Sequence, residues 1–106
     1  ENIIALKVKG DSMIGDMIRD GDVILVEKTE HLSEIQPNQI SVISIKDENT
    51  CTLKRIRLGK NKDEVTLISS NPSYKAITKK ASDIKVEGKV LALLRSYKTD
   101  IVNFST

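Results

Sequence analysis

The chain of 106 residues is long enough for one domain with one core and too short for two domains of ordinary size. Its 17 basic and 15 acidic residues leave a net charge of +2 without a clustered patch, which argues against nucleic-acid binding by this segment itself. No apolar run approaches the ~18 residues of a membrane span, and the single cysteine excludes an internal disulfide. We therefore predict one cytoplasmic domain over residues 1–106.

The first part of the chain alternates strand-like segments with turns. Residues 3–9 predict a strand that ends at Gly10. Apolar residues then recur at helical spacing, which predicts a single helical turn after Ser12: Met13, Ile14, Met17 and Ile18. After the turn signal Asp20-Gly21-Asp22, the apolar run 23–27 predicts a strand covered on both faces. Residues 28–38 are polar and predict a loop.

The rest of the chain continues the same pattern. Segments 39–46 and 51–58 predict a hairpin, and 65–68 predicts a further strand. A polar stretch, 69–74, leads to a long strand over 84–94, where Gly88 indicates a bend or bulge. Residues 96–106 allow an edge strand, a partner-binding tail or a disordered end. The fold class predicted is mainly β, with seven or so strands and one or two short helical turns.

Lys54 occupies an unusual position in the predicted strand 51–58. Side chains on a strand alternate between faces, so Arg55 and Arg57 are expected in solvent and Lys54 is expected to point inward with Ile56 and Leu58. Burial disfavours an ammonium and lowers the pKa of a lysine, and a neutral amine is a base. The alternative is that Lys54 extends to the sheet edge and keeps its charge in water.

Ser12 is the residue on which such a base would act. It lies in the turn Gly10-Asp11-Ser12-Met13, where Gly10 allows the chain to bend sharply. A serine hydroxyl becomes a nucleophile when an unprotonated lysine removes its proton. Taken alone, however, Gly-Asp-Ser is a common turn composition.

Three stretches together give a more specific pattern. The segment 6–13, the segment 20–26 and Thr52-Leu53-Lys54-Arg55 resemble the C-terminal domain of LexA-type repressors, a self-cleaving serine–lysine family that includes phage repressors and UmuD. The resemblance runs from Ile3 to about Tyr97. It implies a single compact domain of the LexA and signal-peptidase type that dimerises through its C-terminal strands, here near residues 84–97.

The resemblance also implies the chemistry. Ser12 matches the nucleophile, Lys54 the general base, and the backbone amides of Asp11 and Ser12 the oxyanion hole. The substrate implied is a peptide bond, usually Ala-Gly, in the repressor's own upstream loop. Its cleavage relieves repression in the DNA-damage (SOS) response or prophage induction, prompted by a RecA–ssDNA filament or a similar activator. Operator DNA is bound only by an N-terminal domain, and no cofactor or membrane is implied.

Several alternatives remain open at this point. Only eleven residues precede Ser12 and no Ala-Gly dipeptide occurs, so we expect a cleavage product, a cloned fragment or a shortened relative that acts on another chain. The competing hypotheses are a dimerisation or partner-sensing module without chemistry, and a UmuD-like polymerase accessory protein. Signal peptidase I shares the Gly-Asp-Ser-Met motif and a lysine base, but it also needs a membrane anchor and a large apolar surface.

The remaining reactive residues have simpler interpretations. His31 lies in a polar loop without ligand-type neighbours, which predicts a solvated side chain. Cys51 opens a strand, and we interpret it as a small packing residue. Four acidic residues lie close together in sequence: Asp11, Asp16, Asp20 and Asp22. Their spacing matches no calcium loop, so we predict capping and turn roles and no metal site.

Overall fold

A computed structural model describes residues 2–61 and 63–95. Seven strands are present in this part of the chain: β1 (Ile3–Lys7), β2 (Val23–Lys28), β3 (Ile40–Ile45), β4 (Cys51–Leu58), β5 (Glu64–Ile68), β6 (Ile77–Lys80) and β7 (Ile84–Leu94). Three single 3-10 turns lie between them: Ile14–Asp16, Leu32–Glu34 and Ala81–Asp83. None of the helices in the described residues has the length and apolar character that crossing a membrane requires.

All seven strands form one antiparallel sheet in the order β1-β2-β7-β3-β4-β5-β6. The mainly β prediction is therefore confirmed. The long strand β7 lies between β2 and β3, and its register shifts once against each neighbour. One shift lies beside Gly88, where the sequence indicates a bulge. Such irregularities increase the local twist of a strand, and they help a sheet to curl.

The core is densest around β3. Val42 and Ile43 follow each other on this strand and point to opposite faces, yet they are 3% and 0% exposed. Ile43 packs in one buried cluster with residues of β4, β5 and β7, and Val42 packs in another with residues of β2. A sheet whose central strand is covered on both sides is a rigid support for the turns at its ends.

The structure differs from the sequence predictions in three strands. Leu58, expected to point inward with Lys54, is 66% exposed because it is the last residue of β4, where the strand leaves the core. Strand β2, predicted to be covered on both faces, buries Ile24 and Val26 while Val23 and Leu25 are only half-buried. Strand β6 was not predicted, because Ile77–Lys80 is an edge strand with a single strongly apolar residue and therefore shows no hydrophobic alternation. Residues 96–106, for which three fates were considered, lie outside the described residues.

Candidate active site

The turn that carries Ser12 begins where β1 ends. Gly10 adopts φ +95°, a conformation that favours glycine, and its N–H donates to Asp20 Oδ1 at 2.8 Å. The chain then passes Ser12 and enters the 3-10 turn Ile14–Asp16, so the predicted helical turn is confirmed. Met13, directly after the serine, is 2% exposed and anchors the turn in the core. Ser12 itself is half-buried.

Lys54 lies in the middle of β4 and points inward, as alternation predicts. Its side chain is 8% exposed, and Nζ lies 3.3 Å from Ser12 Oγ. The amine also donates to Thr52 Oγ1 and to the backbone carbonyl of Leu53, both at 3.1 Å. The structure thus brings together two residues that are 42 positions apart in sequence.

Burial lowers the pKa of Lys54 from the ordinary lysine value of 10.5, because desolvation penalises the ammonium form. The sequence predicts that Arg55 and Arg57 are solvated. Arg57 is exposed, but Arg55 is half-buried and ion-paired, which corrects the prediction for that residue. Desolvation is the cause that the structure supports for the lowered pKa of Lys54.

The three contacts of the Lys54 amine can be made in either protonation state, since an ammonium has three N–H donors. A neutral amine has two N–H donors, which match Thr52 Oγ1 and the Leu53 carbonyl, and one lone pair, which is then directed to the Ser12 hydroxyl. The role of Thr52 was not predicted from the sequence. The signal was available, because a residue two positions before Lys54 on a strand lies on the same face.

An ion pair joins the serine turn to the lysine strand. Arg55 donates through Nε and Nη2 to the two carboxylate oxygens of Asp16, at 3.2 and 2.5 Å. This bidentate contact lowers the pKa of Asp16, chiefly through the hydrogen bond from Arg55. Arg55 also donates to the carbonyl oxygen of Asn38. The backbone of Asn38 has φ 63°, a left-handed conformation that asparagine tolerates. Arg55, the residue after Lys54 in β4, thus holds the turn that carries Ser12.

The segment 69–74 packs against the other side of the turn. The Asp16 N–H donates to Ser70 Oγ at 3.1 Å. A Cβ on Gly15 would lie 2.0 Å from the Ser70 carbonyl oxygen, so no larger residue fits there without a backbone shift. Sequence reasoning assigned this polar segment no role, because its contacts join residues more than fifty positions apart.

The predicted oxyanion donors are the amides of Asp11 and Ser12. Within residues 2–61 and 63–95, neither N–H has a hydrogen-bond acceptor. Both are therefore available to a ligand, and their role as an oxyanion hole stays a prediction.

Ser12 lines a cleft of about 260 Å³. Strands β1 to β4 each contribute one aliphatic side chain to it: Leu6, Ile24, Val42 and Leu53. Strand β1 forms one side of this cleft and, among residues 2–61 and 63–95, has a single strand neighbour, β2. An apolar cleft beside an unpaired strand edge suits an extended peptide, which pairs through its backbone and places alternate side chains in the cleft.

Cys51 and His31 are both exposed. Cys51 also lines the cleft, so its interpretation as a packing residue was wrong: it is the first residue of β4, where the strand leaves the core. His31 precedes the 3-10 turn Leu32–Glu34 on the surface, as its polar surroundings predict.

The four acidic residues each interact with nearby protein groups. Asp20 accepts from Gly10, Asp16 from Arg55, and Asp11 from the Tyr74 hydroxyl. Asp22 is 3% exposed and accepts hydrogen bonds from Arg95 and from the N–H of Arg19, which lower its pKa to about 2. The described part of the chain contains no group of three or more His, Cys, Asp or Glu residues placed to hold a metal ion.

Comparison with known proteins identifies the family of this chain. The family model described as Peptidase S24-like matches residues 1–91. The LexA repressor of Petrotoga mobilis (strain DSM 10674 / SJ95) is 38% identical over 91 residues, which cover 86% of this chain and 42% of that protein. The LexA repressor of Roseiflexus sp. (strain RS-1) is 37% identical over 97 residues, covering 91% of this chain and 42% of that protein.

The chain thus spans about two-fifths of the length of these curated relatives. The family match, in contrast, extends over most of the chain and includes both Ser12 and Lys54. The chain belongs to the Peptidase S24-like family, as a LexA-like domain with a fold of the serine-peptidase type.

Proposed function

We propose that this chain is the C-terminal domain of a LexA-like transcriptional repressor and that Ser12 and Lys54 cleave a peptide bond in an upstream loop of the same protein. The observation that carries the proposal is the pairing of a buried amine with a serine hydroxyl at 3.3 Å. An ordinary surface lysine stays protonated at neutral pH and accepts no proton. A lysine with a lowered pKa inside a serine-peptidase-type fold has the properties of a general base.

The reaction follows from the positions of these groups. Neutral Lys54 takes the proton of the Ser12 hydroxyl, and Oγ attacks the carbonyl carbon of the scissile bond. The amides of Asp11 and Ser12 stabilise the oxyanion of the tetrahedral intermediate. The Lys54 ammonium then returns its proton to the leaving amine as the C–N bond breaks. Water, activated by the neutral amine, hydrolyses the acyl-enzyme ester and restores Ser12.

The cleft supports a peptide as the substrate. It offers aliphatic side chains and the free edge of β1, so a loop segment binds in extended form with small apolar side chains next to Ser12. The usual Ala-Gly dipeptide of the family fits this description.

The partners proposed come from the likeness to LexA repressors. The whole protein acts in the cytoplasm as a homodimer and binds operator DNA through an N-terminal domain. Contact with a RecA–ssDNA filament, or a similar activator, prompts cleavage in the SOS response or prophage induction. The exposed leucines of β7, Leu91 and Leu94, are 48% and 56% exposed and support a contact between two copies along this strand.

The test uses the full-length gene product, incubated at increasing pH and analysed by gel electrophoresis and mass spectrometry. Self-cleavage is expected to accelerate as Lys54 loses its proton, and Ser12→Ala and Lys54→Ala are expected to remain intact. Ser33→Ala and Lys60→Ala alter exposed residues outside the site and serve as matched controls. Cleavage of the two site variants at the wild-type rate would show that the dyad is wrongly assigned.

A second assay separates an enzyme from a binding module. A synthetic peptide with the sequence of the upstream loop is offered in trans to the 106-residue chain. Hydrolysis that depends on Ser12 supports the peptidase. Binding without hydrolysis supports a module that senses a partner and performs no chemistry.

A further inference from the structure

Asn71 makes two contacts with the backbone of the serine turn. Its side-chain Nδ2 donates to the carbonyl oxygen of Asp11 at 3.0 Å. Its backbone N–H donates to the carbonyl oxygen of Ser12 at 3.1 Å. One residue from a distant segment therefore holds two successive peptide groups of the turn, on either side of the Ser12 Cα.

These contacts also fix two N–H groups. A peptide unit is planar and trans. The carbonyl of one residue and the N–H of the next therefore lie in one plane and point in opposite directions. The carbonyl of Asp11 shares its plane with the N–H of Ser12. Because Asn71 Nδ2 holds that carbonyl, it also sets the direction of the Ser12 N–H, which has no acceptor within the described residues.

We infer that Asn71 is a positioning residue that orients the Ser12 amide for stabilisation of the reaction's oxyanion. This inference rests on the proposed function and adds to it a residue outside the dyad. Donors that are already aimed at the developing charge need no reorganisation during the reaction, which is the source of their catalytic effect. A peptide plane that rotates freely lacks this advantage.

The surroundings of Asn71 are built to hold it in place. Its Oδ1 accepts the N–H of Ser73 at 2.9 Å, and its carbonyl accepts the N–H of Tyr74 at 3.0 Å. The Tyr74 hydroxyl in turn donates to Asp11 Oδ1 at 2.7 Å, so the same segment holds the side chain of Asp11 as well as its carbonyl.

Asn71 has no contact with the base. The three partners of the Lys54 amine are Ser12, Thr52 and Leu53. Loss of the Asn71 side chain should therefore slow the reaction without changing the protonation of Lys54. This combination distinguishes a loss of oxyanion orientation from a general distortion of the site, which would also shift the pH dependence.

The experiment measures self-cleavage of the full-length gene product against pH for wild type, Asn71→Ala and Asn71→Asp. The aspartate keeps an acceptor for the Ser73 N–H but lacks the Nδ2 donor. Asn61→Ala is the matched control, because Asn61 Oδ1 also accepts the N–H of the residue two positions on, in the turn between β4 and β5. Thermal unfolding of each variant reports whether it is folded.

We expect both Asn71 variants to lose about tenfold to a hundredfold in the plateau rate, somewhat less than removal of an oxyanion donor itself. The midpoint of the pH profile of Asn71→Ala should match that of wild type, and Asn61→Ala should cleave normally. In ¹⁵N-labelled Ser12→Ala protein, which stays intact, the amide resonance of residue 12 should move when Asn71 is replaced and stay in place when Asn61 is replaced.

Two results overturn the inference. One is wild-type cleavage by folded Asn71→Asp, and the other is a rate loss in Asn71→Ala that a shifted pH midpoint explains. If the wild type still cleaves itself through Ser12, either result refutes only the role of Asn71, and the proposed function stands. A wild type that never cleaves refutes the proposed function, and the inference that rests on it fails too.

Discussion

Replacement of Lys54 by methionine tests whether the amine is held in a desolvated site. Methionine has a similar length and no charge, and the position is 8% exposed. In the unfolded chain Lys54 keeps its proton up to about pH 10.5, whereas in the folded protein it releases the proton at a lower pH. Between these two pKa values the unfolded state binds one proton more than the native state, so the free energy of unfolding of the wild type rises with pH.

The size of this effect follows from proton linkage. One proton contributes at most about 1.36 kcal/mol per pH unit, so the wild type gains up to that amount per unit relative to Lys54→Met across the window. At pH values below the pKa of Lys54 in the folded protein, the wild type has a buried ammonium. In that pH range the stability of Lys54→Met relative to wild type is greatest. Loss of the hydrogen bonds to Thr52 and Leu53 lowers the free energy of unfolding of Lys54→Met by a similar amount at every pH, so it does not change the slope.

The measurement is urea unfolding of the 106-residue chain at closely spaced pH values from neutral to just above pH 10.5, the ordinary value for lysine. Lys75→Met serves as the control at an exposed lysine, and its difference from wild type should be small. A flat difference for Lys54→Met, or one that favours the variant more as pH rises, would refute the claim that burial lowers the pKa of Lys54.

Two further predictions concern the contacts that hold the serine turn. Asp16→Asn should lower the free energy of unfolding at pH 7 by about 1.5–3 kcal/mol, the range for hydrogen bonds to charged groups. Because the pKa of Asp16 is lowered by folding, this stabilisation should be lost as pH falls below the unfolded value near 3.8, which urea unfolding at acid pH checks. Tyr74 should ionise above pH 10.0 in a spectrophotometric titration, because its hydroxyl donates to Asp11 and the negative carboxylate opposes a second negative charge. Asp11→Asn should return the pKa of Tyr74 toward 10.0, and an unchanged titration would contradict the contact.

Local pattern was sufficient to predict much of the sheet. Strand alternation placed Lys54 inward next to Ile56, and the turn signal Asp20-Gly21-Asp22 marked the start of β2, although β1 ends at Lys7 rather than at residue 9. These features depend on neighbours in sequence, which act through the backbone geometry of a strand or a turn. Edge strand β6 escaped prediction because a strand with one exposed face and one free edge needs little apolar content.

The chemical environment of the site is different, since it depends on contacts across long sequence separations. Ion pairing of Arg55 with Asp16 joins residues 39 positions apart, and the bond from Asn71 to Asp11 joins residues 60 apart. No periodicity predicts such pairs, because they arise only when the fold brings together the turn after β1, the middle of β4 and the segment after β5.

The sequence by itself determined the strand pattern and the inward direction of one lysine, because side-chain alternation is a property of the extended backbone alone. Tertiary structure decided how near that lysine lies to Ser12, how dry the amine is and which residues hold the serine turn. Distance and desolvation depend on the packing of segments far apart in the chain, and they exist only in the folded protein.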